Sequence, residues 1–199
     1  QQGNLNRSLE YLLKTRIYNK TRGTYQLENT YSIASVYYQQ ACDEEAMQYL
    51  EEGLNRLLPE GHVPDFSDPI LHPEAGAPAI LLDFLVLKGN IHRRRFHRGG
   101  REPELVAAMQ TLKRAYVLQE KLLSKFLLDF SKITFLQDNY QLTEALVNTA
   151  FDLYERQGDR AWLLEAFSFL EANKAFTLRE ARKKPAVSRT AGISPHLLD

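Results

Sequence analysis

Four short stretches of this chain repeat one pattern: a small residue, a large apolar residue, a polar residue, a variable residue and a second large apolar residue. The stretches are residues 8–12, 46–50, 108–112 and 166–170. Self-similarity at a spacing of tens of residues is typical of repeat architectures, in which each unit buries its apolar face against the next. The pattern therefore favours an extended binding scaffold over a fold built around a catalytic pocket.

Apolar residues recur with helical period along most of the chain, and glycines and prolines fall between the periodic stretches. We predict an all-α fold of about seven helices. The third helix is expected to begin with Asp43 as its cap and to close at Pro59. The other six are predicted at about 5–20, 28–40, 79–96, 102–122, 131–157 and 159–182.

Two segments of the chain interrupt the helical pattern. Prolines and glycines are too dense for a helix between Pro59 and Pro78, so we predict a loop insertion at 59–78. After Lys183 the chain becomes polar and rich in small residues. We therefore expect one helical repeat domain over 1–183, and a linker over 184–199 that leads toward a further C-terminal module.

The composition excludes some classes of protein and leaves others open. The 199 residues include 25 basic and 25 acidic ones, so net charge supplies no general attraction to nucleic acid or to an anionic membrane. Cys42 is the only cysteine, which rules out an internal disulfide. The first residues lack the pattern of a signal peptide, and the apolar run at 77–87 is too short to span a bilayer. We expect a cytoplasmic protein with no membrane partner.

Small and large residues alternate in a specific way over residues 30–59. Small residues allow two antiparallel helices to approach closely, and large ones fill the spaces beside the crossing. The set comprises the small Ala34 and aromatic Tyr37 of one helix, the small Ala46 and Gly53 of the next, and Pro59 after it. This segment resembles a tetratricopeptide repeat (TPR). The resemblance implies a TPR-like α-α superhelix, a solenoid of helical hairpins.

A second resemblance concerns the C-terminal part of the chain. Residues 166–175, followed by 191–198, are similar to the segment that precedes a CHAT domain, although Asn173 stands where that family more often has serine. CHAT domains are caspase-like modules found after TPRs in bacterial proteins. The resemblance implies that this chain is the regulatory, non-catalytic N-terminal part of a larger CHAT protein. The Cys–His dyad of the effector module has no counterpart here, so no protease activity is expected.

The TPR resemblance also implies which residues line a binding groove, because the first helix of each TPR faces the concave surface. When the groove positions of the TPR are transferred to the matching positions of this sequence, the candidate peptide-binding residues are Tyr31, Ser35, Tyr38, Gln39, Asn90, Arg93 and Arg94. Val86 completes the second set, and a third set comprises Asn148, Asp152, Glu155 and Arg156. Aromatic, amide and guanidinium groups together can hold a peptide backbone and carboxylates. The alternative is a solvated helix face that binds nothing.

Two other classes of function stay open. The first is a structural spacer or oligomerisation unit whose exposed ends pack on other copies, which would give a mass that rises with concentration. The second is a nucleic-acid-responsive module that uses the basic residues between Arg93 and Arg101. Successive residues of a helix point in different directions around its axis, however, so adjacent arginines cannot all contact one ligand. The same cations can instead stabilise a helix C-terminus or form salt bridges with Glu102 and Glu104.

No catalytic or metal site is expected from the sequence, and no cofactor. Possible metal ligands in the proline-rich loop are His62, Asp65, Asp68, His72 and Glu74, but their spacing matches no known zinc or calcium motif. Cys42 lies at a turn between two helices without a recognisable Cys–His signature. We therefore interpret it as a small residue of the turn.

Overall fold

The computed structural model describes residues 2–18, 23–58, 78–125, 135, 140–172 and 174. Within these ranges the chain is helical and contains no strand, which confirms the all-α class. The helices are α1 (Gln2–Tyr18), α2 (Thr24–Gln39), α3 (Asp43–Leu57), α4 (Pro78–Gly99), α5 (Glu102–Lys125), α6 (Tyr140–Gln157) and α7 (161–172).

The helix bounds differ in detail from those expected. Helix α2 begins at Thr24 rather than at 28, and α4 begins at Pro78, whose fixed φ suits the first turn of a helix. Helix α4 ends before Gly100, which has a φ of 65° and so adopts the left-handed conformation that glycine favours. The described residues do not include the predicted linker at 184–199. Of the predicted loop at 59–78 they include only the last residue, Pro78.

The prediction that Asp43 caps α3 is wrong. Cys42 occupies the N-cap position and makes no side-chain capping hydrogen bond. Asp43 is the first residue of the helix, and its carboxylate is buried against arginines of α4. An inward-facing carboxylate in the first turn still interacts favourably with the helix dipole.

The chain divides into two compact units, Gln1–Leu122 and Leu123–Asp199. In the first unit α1 packs on α2, α2 packs on α3, and α4 contacts both α2 and α3. Along α2 and α4, Tyr31 lies beside Phe84 and Tyr38 beside Arg94. Residue numbers therefore increase in the same direction along both helices, so α4 runs parallel to α2. Because α2 and α3 form an antiparallel hairpin, α4 runs antiparallel to α3.

Small residues lie where the helices of the first unit cross, as the sequence predicted. Ala34 and Ala46 are fully buried in the α2–α3 hairpin. A Cβ atom on Gly53 would overlap the Phe84 ring, and one on Gly89 would lie 2.6 Å from the Leu112 Cγ. A methyl group at either position would therefore force the Phe84 or the Leu112 side chain to move, so glycine favours the close packing of α3 on α4 and of α4 on α5.

The Phe84 side chain makes an apolar contact between α4 and both helices of the hairpin. It is fully buried against Gly53 of α3, and its ring lies 5.6 Å from the Tyr31 ring of α2 at a tilt of 59°. Burying an aromatic ring of this size stabilises a fold by roughly 2 to 3 kcal/mol. Phe84 thus joins α4 to both helices of the hairpin.

The second unit is described over α6 and α7. Helix α6 ends at Gln157 and is followed by Gly158, which has a φ of 72°. Trp162 of α7 donates a hydrogen bond from its indole nitrogen to Gln157 Oε1 at 2.7 Å. Helix α7 buries Ala166 and Phe169. Its large exposed apolar residues are Leu164, Phe167 and Leu170, which are 72%, 61% and 41% exposed.

Candidate functional site

The parallel helices α2 and α4 present a shared surface, here called the α2–α4 face. Its residues are Tyr31, Ser35 and Tyr38 from α2 and Asp83, Val86, Asn90 and Arg94 from α4, and all of them are half-buried. The spacing of three, four and seven residues places each set along one side of its helix. Six of the twelve predicted groove residues therefore lie on one surface of the first unit.

The remaining predicted residues lie elsewhere. Gln39 is the last residue of α2 and is exposed, and Arg93 is half-buried and interacts within the chain. The third predicted set, Asn148, Asp152, Glu155 and Arg156, belongs to α6 in the second unit.

Arg94 makes three contacts with the hairpin. Its Nη1 donates a hydrogen bond to the Tyr38 carbonyl oxygen at 2.7 Å, and its guanidinium carbon lies 3.7 Å from the centroid of the Tyr38 ring. Its Nη2 forms an ion pair with Asp43. The guanidinium predicted to bind a ligand therefore supports Tyr38 from within the protein.

Two further arginines of α4 hold the same turn. Arg98 Nη1 donates to Asp43 Oδ2 at 2.7 Å and to the Ala41 carbonyl oxygen at 3.2 Å, and Arg95 pairs with Glu44 at 3.0 Å. The Asp43 side chain is only 6% exposed, so its charge is compensated almost wholly by protein groups. We call Arg94, Arg95 and Arg98 the turn clamp.

The clamped turn contains a strained residue. Ala41 has a φ of 64°, a left-handed conformation that costs a residue with a side chain about 1 kcal/mol. The Tyr38 carbonyl in the last turn of α2 and the Ala41 carbonyl in the turn that follows both accept hydrogen bonds from clamp arginines. The clamp therefore satisfies the C-terminal end of α2 and stabilises the turn.

Two other basic residues in this run pair with α5. His92 Nδ1 lies 2.7 Å from Glu104 Oε2, and Arg101 Nη2 lies 3.2 Å from Glu104 Oε1. The predicted ion pairing with Glu104 is thus confirmed. The basic side chains that looked free to bind an anionic partner therefore pair largely with carboxylates and carbonyl oxygens of the protein itself.

Among the described residues, the charged side chain of this face that has no ion-pair partner is acidic. Asp83 makes no hydrogen bond or ion pair with another described residue, and its burial raises the pKa of its carboxyl from 3.8 to about 6. Burial, and secondarily the charge of Asp83, raise the pKa of Tyr31 to about 12. Sequence reasoning did not select Asp83, although an acidic residue inside the apolar run 77–87 was the available signal.

Two open depressions lie away from this face. One, of about 560 Å³, lies beside the Arg16–Glu52 ion pair of α1 and α3, in which the closest atoms are 2.6 Å apart. The other, of about 430 Å³, lies at the α2–α3 turn beside Cys42 and Arg95. The lining of the second includes no histidine that could activate the thiol.

Comparison of the chain with protein-family models, with curated proteins and with solved structures finds no match. The resemblance to TPR and CHAT-associated sequences therefore depends on the residues quoted above. Within the described ranges no helix is both long and apolar enough to cross a membrane. No group of three or more metal-binding side chains occurs there either, and the possible ligands between His62 and Glu74 lie outside these ranges.

The turn clamp leads to a prediction about stability. Replacing Asp43 by Asn leaves Arg94 and Arg98 without their carboxylate, so we expect the free energy of unfolding to fall by about 2 to 4 kcal/mol. The matched control is Glu44→Gln, which also removes an arginine partner but at a side chain that is 82% exposed. It should change stability by about 0.5 kcal/mol or less. Urea unfolding measures both, and equal losses would contradict the clamp.

Asp83 leads to a prediction about pH. Its pKa is higher in the folded protein than in the unfolded chain, so the folded state binds the proton more tightly and loses stability as pH rises from about 4 to about 6. Asp83→Asn removes this cost. We expect the variant to be about 1 to 2 kcal/mol more stable than the wild type at neutral pH, after allowance for partial exposure.

The difference in stability between Asp83→Asn and the wild type should disappear below a pH of about 4, where the wild-type carboxyl is also uncharged. Urea unfolding across this range measures it, with Glu51→Gln at an exposed position of α3 as the control. A variant less stable than the wild type at neutral pH would show that the Asp83 charge is compensated.

Proposed function

We propose that this chain is a non-catalytic helical-repeat scaffold that binds a peptide or a segment of another protein on the α2–α4 face. In this proposal the helices form a TPR-like superhelix. Support comes from the parallel run of α2 and α4, from the antiparallel α2–α3 hairpin, and from the buried small residues at Ala34, Ala46, Gly53 and Gly89. Concave helical-repeat surfaces of this type commonly bind protein segments.

One observation supports the proposal most strongly. Ser35 and Asn90 are half-buried on the α2–α4 face, and neither makes a side-chain hydrogen bond to another described residue. Half-buried groups with free hydrogen-bonding capacity can bind the backbone of an extended peptide, and the rings of Tyr31 and Tyr38 can pack on its side chains. Arg94 contributes by fixing Tyr38, whereas Gln39 and Arg93 lie outside this face.

The role of such binding in a larger protein follows from the CHAT resemblance. We propose that occupation of the α2–α4 face by a partner regulates a caspase-like effector module in the same polypeptide, in the cytoplasm. The support for this step is the similarity of residues 166–175 and 191–198 to sequences that precede CHAT domains. Binding on the face and regulation of an effector are separate properties, and the first can be tested on this chain.

Self-association is the second candidate function, and one observation favours it. Leu164, Phe167 and Leu170 recur at intervals of three residues on α7 and are exposed. Contact with another copy through this stripe would make the molar mass rise with concentration. If so, Phe167→Glu should return the protein to monomer in sedimentation experiments, and a concentration-independent mass would exclude the stripe as a self-contact.

Nucleic-acid binding through the run from Arg93 to Arg101 has less support. The turn clamp pairs with Asp43 and Glu44, and Arg101 pairs with Glu104. Binding a phosphate would require those cations to leave carboxylates behind or to share them.

The proposed binding face can be tested with peptides selected from a displayed library of random short sequences. Peptides enriched on the wild-type chain would be synthesised, and their affinities measured for the wild type and for Asn90→Ala. Loss of a hydrogen bond at the centre of the face should weaken binding about tenfold. Ser35→Trp, which fills the face, should abolish it.

The matched control is Asn55→Ala, which removes the same side chain from an exposed position on α3. It should bind as the wild type does, and circular dichroism should show the same helix content in all variants. Failure to enrich any peptide, or equal binding by Asn90→Ala and Asn55→Ala, would contradict a binding role for the α2–α4 face.

A further inference from the structure

We infer that the end of the α2–α4 face at Asp83 binds a basic side chain of the partner, with arginine preferred over lysine. This inference rests on the proposed function and specifies the chemistry of the bound segment. It reverses the expectation from sequence alone, in which arginines of α4 would hold carboxylates of the ligand. Three features of the described residues lead to it.

The first feature is the balance of charge on the face. Arg94 is engaged by Asp43 and by Tyr38, and Arg93 also interacts within the chain. No described residue forms an ion pair with Asp83. The charged group of this face that is left for a ligand is therefore a carboxylate, and a carboxylate recruits a cation.

The second feature is the partial burial of Asp83. A charge removed from water without a partner destabilises the protein, and it interacts more strongly with an incoming opposite charge than an exposed one does. At Asp83, which is half-buried, part of the desolvation cost is already present before a ligand arrives. A cationic group that binds here would therefore be attracted to Asp83, and the additional free-energy cost of desolvating the protein would be smaller.

The third feature is the aromatic neighbour of Asp83. The Tyr31 ring is held at a fixed tilt against Phe84, and Tyr31 is near enough to Asp83 for that charge to raise its pKa. The phenol therefore remains protonated at neutral pH, so it can donate a hydrogen bond and offers an uncharged ring. A planar guanidinium can pair with a carboxylate and stack on an aromatic ring at once, which an ammonium group does less well.

The geometry also restricts where the basic residue lies in the bound segment. Asp83 and Arg94 are separated by 11 positions along α4, which corresponds to roughly 16 Å at the rise of an α-helix. An extended peptide covers that length with about five residues. The basic side chain is therefore expected at one end of a segment of about this size, and Tyr38 with Arg94 marks the other end.

The test uses peptides enriched from the random display library on the wild-type chain. An arginine or a lysine should recur at one position among them. Asp83→Asn should weaken their binding by about tenfold or more, whereas Glu51→Gln, which removes an exposed carboxylate of α3, should have no effect. Replacing the recurrent basic residue by glutamine should weaken binding to the wild type, but hardly to Asp83→Asn.

The outcomes separate this inference from the proposed function. Peptides whose binding falls with Asn90→Ala but not with Asp83→Asn, or that lack a recurrent basic residue, would overturn the inference and leave the binding face intact. A basic residue whose replacement weakens binding equally to the wild type and to the Asp83→Asn variant would also overturn it. Absence of any peptide that depends on Asn90 would remove the binding face and the inference together.

Discussion

The buried carboxylate of Asp43 is the constraint on which the first unit depends. A carboxylate in this position is costly unless cations approach it closely, and α4 supplies both Arg94 and Arg98. These pairs help to hold α4 in its register along the hairpin, because both arginines bind the carboxylate at the α2–α3 turn. In that register Phe84 falls against Gly53 and Tyr31, so the ionic contact and the apolar contact support each other.

This arrangement determines what the α2–α4 face can offer to a partner. The arginines that make α4 look like an anion-binding helix are used to close a strained turn and to hold the Tyr38 ring. The groups left over are aromatic rings, two hydrogen-bonding side chains and the carboxylate of Asp83. This composition is the basis for our proposal that the face binds a peptide with a basic residue and not a nucleic acid or an acidic tail.

Local pattern predicted much of the fold, and less of the face. Helical periodicity located the helices, and the small residues Ala34, Ala46 and Gly53 are buried as expected, since both signals are carried by residues close in sequence. The role of Arg94 could not be predicted this way, because its partner Asp43 is 51 positions away and becomes its neighbour only after folding. Asp83 is similar: nothing in the local sequence indicates that its carboxylate has no ion-pair partner among the described residues.

The most direct test of this account is a double-mutant cycle on Asp43 and Arg94, with the free energy of unfolding measured for the wild type, Asp43→Asn, Arg94→Gln and the double variant. If the buried ion pair positions α4, the two substitutions should be coupled by about 1.5 kcal/mol or more, so that the double variant loses much less than the sum of the single losses. The pair Glu44 and Arg95 provides the exposed comparison and should show weak coupling. Additive losses at Asp43 and Arg94 would contradict the account, because they would mean that the pair does not hold α4 on the hairpin.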